Sequence, residues 1–237
     1  GKHVLCEKPI GISAAEARSM DEAARRSGRM LMEAFMYRFH PAWLTTRRLV
    51  EAGRIGEVRG VQSWFSFYAA DPDDIRNRAE TGGGAMLDLG CYSVNVARML
   101  LGGEPTGISA AVRRDPESGV DTLVAAVLEF GDRLASFAVS TRAEADQRVT
   151  VYGGEGRVGL EIPFNIPPDR PTRVFLYRGG GAPPFEPAEV LPVPAADMYG
   201  AQAAAFAAAV LDGTPVTRPM PDSITTMEVI ERVLASG

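Results

Sequence analysis

Gly82-Gly83-Gly84-Ala85-Met86-Leu87-Asp88-Leu89-Gly90-Cys91-Tyr92 is the stretch on which the reading of this chain turns. Three glycines open it, and behind them a carboxylate and a phenol stand four residues apart in an apolar run. At helical spacing, residues four apart lie on one face about 6 Å apart along the axis. Asp88 and Tyr92 are thus expected to point into one cleft, with Asn95 or Val96 continuing the stripe. Glycines before such a helix allow backbone to approach a ligand closely. A free phenol ionises at about pH 10, too high for efficient proton transfer at neutrality, but a neighbouring ammonium favours the phenolate and lowers that value. Lys8, in Glu7-Lys8-Pro9 at the end of an apolar strand, is the candidate for that charge.

Upstream, Gly1 to Cys6 reads as a buried strand. Ser13-Ala14-Ala15-Glu16 is a capping-box sequence, and its helix runs through Ala17, Met20 and Ala24 to a stop at Gly28. Arg29 to Phe35 reads as a second short strand, so residues 1–35 spell the closing part of an alternating α/β sheet. Pro41 suits the first turn of the next helix, which closes at Gly53. Glu57 to Tyr68 is β in character, rich in Val, Phe and Trp, and the loop Ala69 to Thr81 is acidic and polar.

Beyond Pro105 the pattern changes to β segments at near-regular spacing, at 107–114, 121–130, 133–142, 147–153, 157–162, 172–178 and 188–193. Polar or Gly-rich turns separate them, so a large, mostly antiparallel sheet is expected. Pro167-Pro168 and the run Gly179 to Pro184 read as surface loops, and Met198 to Leu211 and Ser223 to Leu234 as helices. Gly154-Glu155-Gly156-Arg157-Val158-Gly159 matches the dinucleotide glycine string, but Leu160-Glu161-Ile162 continues as β where a phosphate site needs a helix N-terminus. A hairpin is the expected reading.

With 237 residues, 46% of them hydrophobic, the chain can bury a substantial core. A net charge of −5 argues against a nucleic-acid partner, and Arg25-Arg26 and Arg47-Arg48 read as solvated helix faces. Cys6 and Cys91 show no paired spacing and read as reduced residues of a cytoplasmic protein. No run reaches the ~18 apolar residues of a membrane span. Two distant histidines, His3 and His40, suggest no metal site, and neither a G-x-S-x-G elbow nor a Tyr-x-x-x-Lys pair is present.

Taken in order, Glu7-Lys8-Pro9, Tyr37-Arg38-Phe39-His40-Pro41 and Asp88-Leu89-Gly90-Cys91-Tyr92 after the triple glycine resemble the glucose-fructose oxidoreductase/inositol dehydrogenase (Gfo/Idh/MocA) family. The closest similarity is to its dihydrodiol and aldose dehydrogenase branch. Many members carry His where this chain has Tyr92, which separates it from the inositol dehydrogenases. The resemblance implies α/β followed by α+β. Residues 1–40 would be the C-terminal part of a Rossmann-like dinucleotide-binding domain. Residues 41–237 would be an α+β substrate-binding and dimerisation domain, a large mostly antiparallel sheet with helices on one face, whose last helices pack back on the first domain.

The resemblance also implies an NAD(P)-dependent oxidoreductase that uses NAD or NADP to move a hydride to or from a secondary alcohol or ketone of a sugar, polyol or related diol. Lys8 would reach the substrate hydroxyl, with Glu7 and Pro9 lining the nicotinamide side. Tyr92 would act as acid/base, and Asp88 would accept a second sugar hydroxyl or orient Lys8. Arg38 and His40 would brace the cofactor side of the cleft. The uncovered sheet face would pair two subunits. Rival readings are an aromatic trans-dihydrodiol dehydrogenase and a non-catalytic sensor or assembly domain. In such proteins the glycine-rich dinucleotide turn precedes the Glu-Lys-Pro strand, so these 237 residues alone are expected to bind dinucleotides weakly.

Overall fold

The structure, a computed structural model, describes residues 1–180, 186–216 and 218–237. Strands β1 (Val4–Glu7) and β2 (Leu31–Ala34) pair in parallel, Val4 opposite Leu31 and Glu7 opposite Ala34. Parallel pairing needs a long crossover, and helix α1 (Ala14–Arg26) supplies it. Ser13 Oγ accepts the Glu16 N–H at 3.1 Å. The Glu16 carboxylate reaches past Ser13 to the Ile12 N–H at 2.7 Å, so the expected capping box is shifted by one residue. A short 3₁₀ turn, Met36–Phe39, leads into helix α2 (Pro41–Glu51).

The second layer is an eight-stranded sheet: β3 (Val58–Tyr68), β4 (Gly107–Arg114), β5 (Asp121–Phe130), β6 (Arg133–Ser140), β7 (Arg142–Gly153), β8 (Gly156–Leu160), β9 (Thr172–Arg178) and β10 (Glu189–Val193). Its order is β10-β9-β8-β7-β3-β6-β5-β4, with β3 and β6 parallel and the other neighbours antiparallel. β5 shows why period-two reading works here. Val124, Ala126, Leu128 and Phe130 are buried, while Leu123, Ala125, Val127 and Glu129 face away. β7 begins at Arg142 rather than 147, because β3 is long enough to pair Tyr68 with Arg142. Gly154 and Glu155 form the tight turn between β7 and β8, which confirms the hairpin. Of the expected loop Gly179 to Pro184, residues 181–184 lie outside the described residues.

Helix α3 (Cys91–Leu101) and helix α5 (Met220–Ala235) cover one face of this sheet. α5 also packs on α1 and β2, and helix α4 (Met198–Asp212) packs on the Met36–Phe39 turn, so the last two helices tie both layers together. A buried ionic knot marks that junction. Arg218, two residues before α5, donates from Nε to Glu33 Oε2 (2.7 Å), from Nη1 to Asp222 Oδ2 (2.5 Å) and from Nη2 to Thr226 Oγ1 (2.9 Å). Glu33 in turn accepts the Ile10 N–H at 2.9 Å. With its amide oxygen turned to the Arg218 guanidinium, Asn95 donates to Tyr37 Oη at 2.5 Å.

One expectation about the decisive stretch changes. Met86–Gly90 is a π-turn, in which the Cys91 N–H donates to the Met86 carbonyl, so Asp88 and Tyr92 straddle a π-to-α junction instead of sharing one α-helical face. Gly83 and Gly84 also approach the chain itself closely. At Gly84, φ is +122° and a Cβ would collide with the Asp121 carboxylate, while a Cβ on Gly83 would sit 2.6 Å from the Arg76 carbonyl oxygen. Asp121 needs that space because it accepts the Met86 N–H at 2.6 Å and thereby fixes the start of the π-turn. Among the described residues no helix is long and apolar enough to cross a membrane.

Candidate active site

The carboxyl ends of β1 and β2 form the edge at which open α/β sheets bind ligands. The chain leaves β1 through Lys8 and a cis peptide to Pro9. Lys8 Nζ turns toward the π-turn and donates to the Asp88 carbonyl at 2.7 Å and to Asp88 Oδ1 at 2.8 Å. The other carboxylate oxygen, Oδ2, accepts from Arg76 Nε at 2.8 Å. Lys8, Asp88 and Arg76 line one cleft of about 460 Å³ together with Glu16, Pro9, apolar side chains such as Ile10, Ile12 and Met20, and the backbone of Gly82 to Gly84. The side chain of Lys8 is 14% exposed, so the ammonium is held in place yet reachable.

Tyr92 meets Lys8 by its ring, not its hydroxyl. Lys8 Nζ stands 4.9 Å from the ring centroid, a cation–π seat. The hydroxyl donates to Met36 Sδ at 3.6 Å, and the ring packs edge-on against Phe35 (5.4 Å) and Phe65 (5.6 Å). Burial drives the phenol far above its ordinary range, and Cys91, Tyr199, Asp88 and Glu7 push the same way. The expected phenolate stabilised by Lys8 is therefore not what the geometry offers. In this arrangement Tyr92 is held as a neutral phenol with its hydroxyl turned to Met36.

Burial works against the Lys8 charge, but Cys91 and Asp88 outweigh it and hold the ammonium above its usual range, with Arg76 pulling slightly the other way. Burial also pushes the Cys91 thiol up to about 12, so it is uncharged at neutrality and Asp88 is the working partner. Both oxygens of Asp88 are engaged by cations, which favours its orienting Lys8 over its binding a second sugar hydroxyl.

The remaining expected residues divide. Glu7 is exposed at the end of β1, and Pro9 lines the cleft. Arg38 lies beside the buried knot, its Nη1 3.8 Å from Asp222 Oδ2, and its Nε has no hydrogen-bond partner among the described residues. His40 does not brace the cleft. It is fully buried and caps α2, its Nδ1 accepting the Ala42 N–H at 3.1 Å. Arg76 and Asp121 were not singled out by their sequence context, a polar loop and a strand start. No group of three His, Cys, Asp or Glu suited to a metal occurs among the described residues.

Glu7 closes β1 with a carboxylate, Pro9 adds an apolar surface to the cleft, and Arg38 Nε is a buried donor without a hydrogen-bond partner among the described residues, groups of the kind that a nicotinamide ring and its amide need.

Residues 43–159 match the model of the GFO/IDH/MocA C-terminal domain, and residues 1–35 that of the oxidoreductase family NAD-binding Rossmann fold. The chain is 39% identical over 240 residues to an uncharacterised oxidoreductase of Rhizobium meliloti, covering 100% of this chain and 71% of that protein. It is 34% identical over 242 residues to D-xylose 1-dehydrogenase (NADP(+)) 2 of Haloferax volcanii, with the same coverage of 100% and 71%. To the trans-1,2-dihydrobenzene-1,2-diol dehydrogenase of Bos taurus it is 34% identical over 202 residues, 78% of this chain and 60% of that one. Among solved structures, a 3-ketoreductase from Actinomadura kijaniata in complex with NADP and TDP-benzene superposes with a TM-score of 0.90 at 29% identity, over 100% of this chain and 71% of that chain. Solved variants of that ketoreductase carry one replaced tyrosine and one replaced lysine, as far apart in its sequence as Tyr92 and Lys8 are here. The ordered Glu-Lys-Pro, Tyr-Arg-Phe-His-Pro and Asp-x-Gly-x-Tyr motifs, the fold and these likenesses agree: the chain belongs to the Gfo/Idh/MocA family of NAD(P)-dependent oxidoreductases acting on CH–OH groups.

Proposed function

We propose that the chain interconverts a ketone and a secondary alcohol on a sugar, polyol or related diol, with Lys8 as the group that carries the proton. The observation that supports this is the Lys8 ammonium, fixed on Asp88 by two hydrogen bonds and facing the cleft. Glu7, Pro9 and Arg38 are the residues proposed to hold the nicotinamide, which when bound supplies or accepts the hydride. In the reducing direction Lys8 gives its proton to the carbonyl oxygen and is left as an amine beside Asp88. In the oxidising direction the amine takes the hydroxyl proton. Tyr92 seats the Lys8 ammonium on its ring and, as a neutral phenol, can donate to the substrate oxygen once released from Met36.

A keto-sugar or polyol fits better than a bare hydrocarbon diol, because Lys8, Asp88 and Arg76 present charged groups to the cleft. The likeness to a dihydrobenzenediol dehydrogenase keeps an aromatic diol as the second reading. Assaying the intact oxidoreductase with NADPH or NADH against keto-sugars and with NADP⁺ or NAD⁺ against polyols and benzene dihydrodiols tests both readings. Turnover of carbohydrates is expected. Turnover of the dihydrodiol alone favours the second reading, and turnover of neither class contradicts the proposal. Tyr92→Phe keeps the ring under Lys8 and removes a hydroxyl whose one hydrogen bond among the described residues is to a thioether. It is expected to lower kcat/KM by about tenfold, the worth of one modest hydrogen bond. A loss as large as that of Lys8→Met would return the proton to the tyrosine.

Three coarser points belong with this reading. We propose a division near residue 40, with α5 bridging the two parts. We propose a homodimer through the face on which the register sets Leu123, Val127, Leu134, Trp64 and Tyr152 together on the side away from α3 and α5. Two cysteines without a disulfide suit a reducing compartment, proposed as the cytoplasm.

A further inference from the structure

We infer that Arg76 is a positioning residue for the proton-carrying lysine and acts through Asp88, an inference that rests on the reading of Lys8 given above. The Asp88 carboxylate is held at both ends, Oδ1 by Lys8 Nζ and Oδ2 by Arg76 Nε, each at 2.8 Å. A carboxylate held by one oxygen can turn about its terminal bond, whose torsion is broad and soft. Charge-assisted bonds on both oxygens fix its plane, and with it the direction of the lysine proton.

Arg76 is itself braced. Its Nη1 lies 3.2 Å from Asp74 Oδ1, and its guanidinium stands 5.8 Å from the Phe67 ring centroid. Asp74 caps the 3₁₀ turn Ile75–Asn77 by accepting the Arg76 N–H at 2.9 Å. Asn77 then ties the turn to the sheet, donating to the Asp71 carbonyl at 2.6 Å and accepting from Arg142 Nη2 at 2.9 Å. A segment that reads in sequence as a plain polar loop thus delivers one cation to a fixed point beside Asp88.

A second consequence is electrostatic. Facing Lys8 are the Asp88 carboxylate, the neutral Cys91 thiol, the Tyr92 ring and, across Asp88, the Arg76 guanidinium. One anion is shared by two cations. Arg76 therefore weakens the grip of Asp88 on the lysine proton and eases its release to a carbonyl oxygen.

The test uses the intact oxidoreductase and the pH dependence of ketone reduction in Arg76→Gln, Arg76→Lys and Asn77→Ala. Arg76→Gln is expected to lower kcat by about tenfold, as loss of orientation does. KM for the ketone should stay nearly unchanged, and the alkaline limb should move to higher pH. Arg76→Lys should return the limb toward its original position. Asn77→Ala loosens the loop without removing the charge and should lower activity with the limb unmoved. An unmoved limb in Arg76→Gln, a shift reproduced by Asn77→Ala, or an effect on KM alone would overturn the inference. Lys8→Met separates the two levels. Its inactivity together with an unmoved Arg76→Gln limb defeats only the role of Arg76, whereas wild-type turnover in Lys8→Met defeats the reading of Lys8 as well.

Discussion

Replacing Lys8 by methionine in the intact oxidoreductase is expected to lower kcat by ~10²–10⁴ while leaving cofactor affinity nearly unchanged, the range lost with a positioned acid/base. Methionine keeps most of the apolar length that crosses the Tyr92 ring and removes only the ammonium and its two bonds to Asp88. Asp88 keeps Arg76 on Oδ2, so the carboxylate is not stranded and the variant should fold. Steady-state rates with NADPH and a keto-sugar, beside a fluorescence titration of NADPH, separate chemistry from binding. Because Lys8 and Tyr92 touch, Lys8→Met/Tyr92→Phe should be little slower than Lys8→Met alone. Wild-type turnover in Lys8→Met would remove the lysine from the chemistry.

The largest effect on stability is expected at Arg218. Its side chain is 2% exposed, and its partner Glu33 is 0% exposed. Truncating one member of a buried pair leaves the other as an uncompensated charge, and Arg218→Met should cost about 3–5 kcal/mol in urea unfolding. The double change Arg218→Met/Glu33→Gln removes both charges and should recover much of that loss, since the pair itself has little net worth against its desolvation. Glu33 also accepts the Ile10 N–H, two residues from Lys8, so the single variant should lose activity along with stability. A loss below about 1 kcal/mol in Arg218→Met, the scale of a surface pair, would show that water reaches this knot.

The parts of the fold that repeat a short-range pattern were legible in the sequence. β5 alternates buried and open residues along its length, and Ser13 and Pro41 sit where a helix start wants a cap and a fixed φ. The motifs also placed Lys8 and Asp88 together, although 80 residues separate them. What stayed hidden depends on partners far along the chain. Arg218 and Glu33 are 185 residues apart, and neither local context, an arginine between a threonine and a proline or a glutamate within a strand, announces a buried pair. The π-turn at Met86–Gly90 adds one residue to a hydrogen-bonded ring without any change of composition. That extra residue, together with Asp121 beneath Gly84, sets the junction from which Tyr92 presents its ring rather than its hydroxyl to Lys8. Arg76 was masked by its loop, because an arginine among aspartates reads as a solvated charge until the turn that aims it is seen.

The claim at the centre of this account is that Asp88 keeps Lys8 charged for proton transfer, and it is tested most directly by the pH dependence of kcat for ketone reduction in Asp88→Asn beside the unaltered protein. Lys8 has a raised value, so its protonated form persists through neutrality and is lost only as pH climbs through that value. Asparagine is close in shape but carries no charge. The opposing effect of burial then stands against weaker support, and the lysine loses its proton at lower pH. The alkaline limb of the reduction profile should therefore move to lower pH in Asp88→Asn, and the variant should lose rate at neutrality that is partly recovered on acidification. A limb that stays where it is in the unaltered protein, with kcat lowered equally at every pH, would contradict the account.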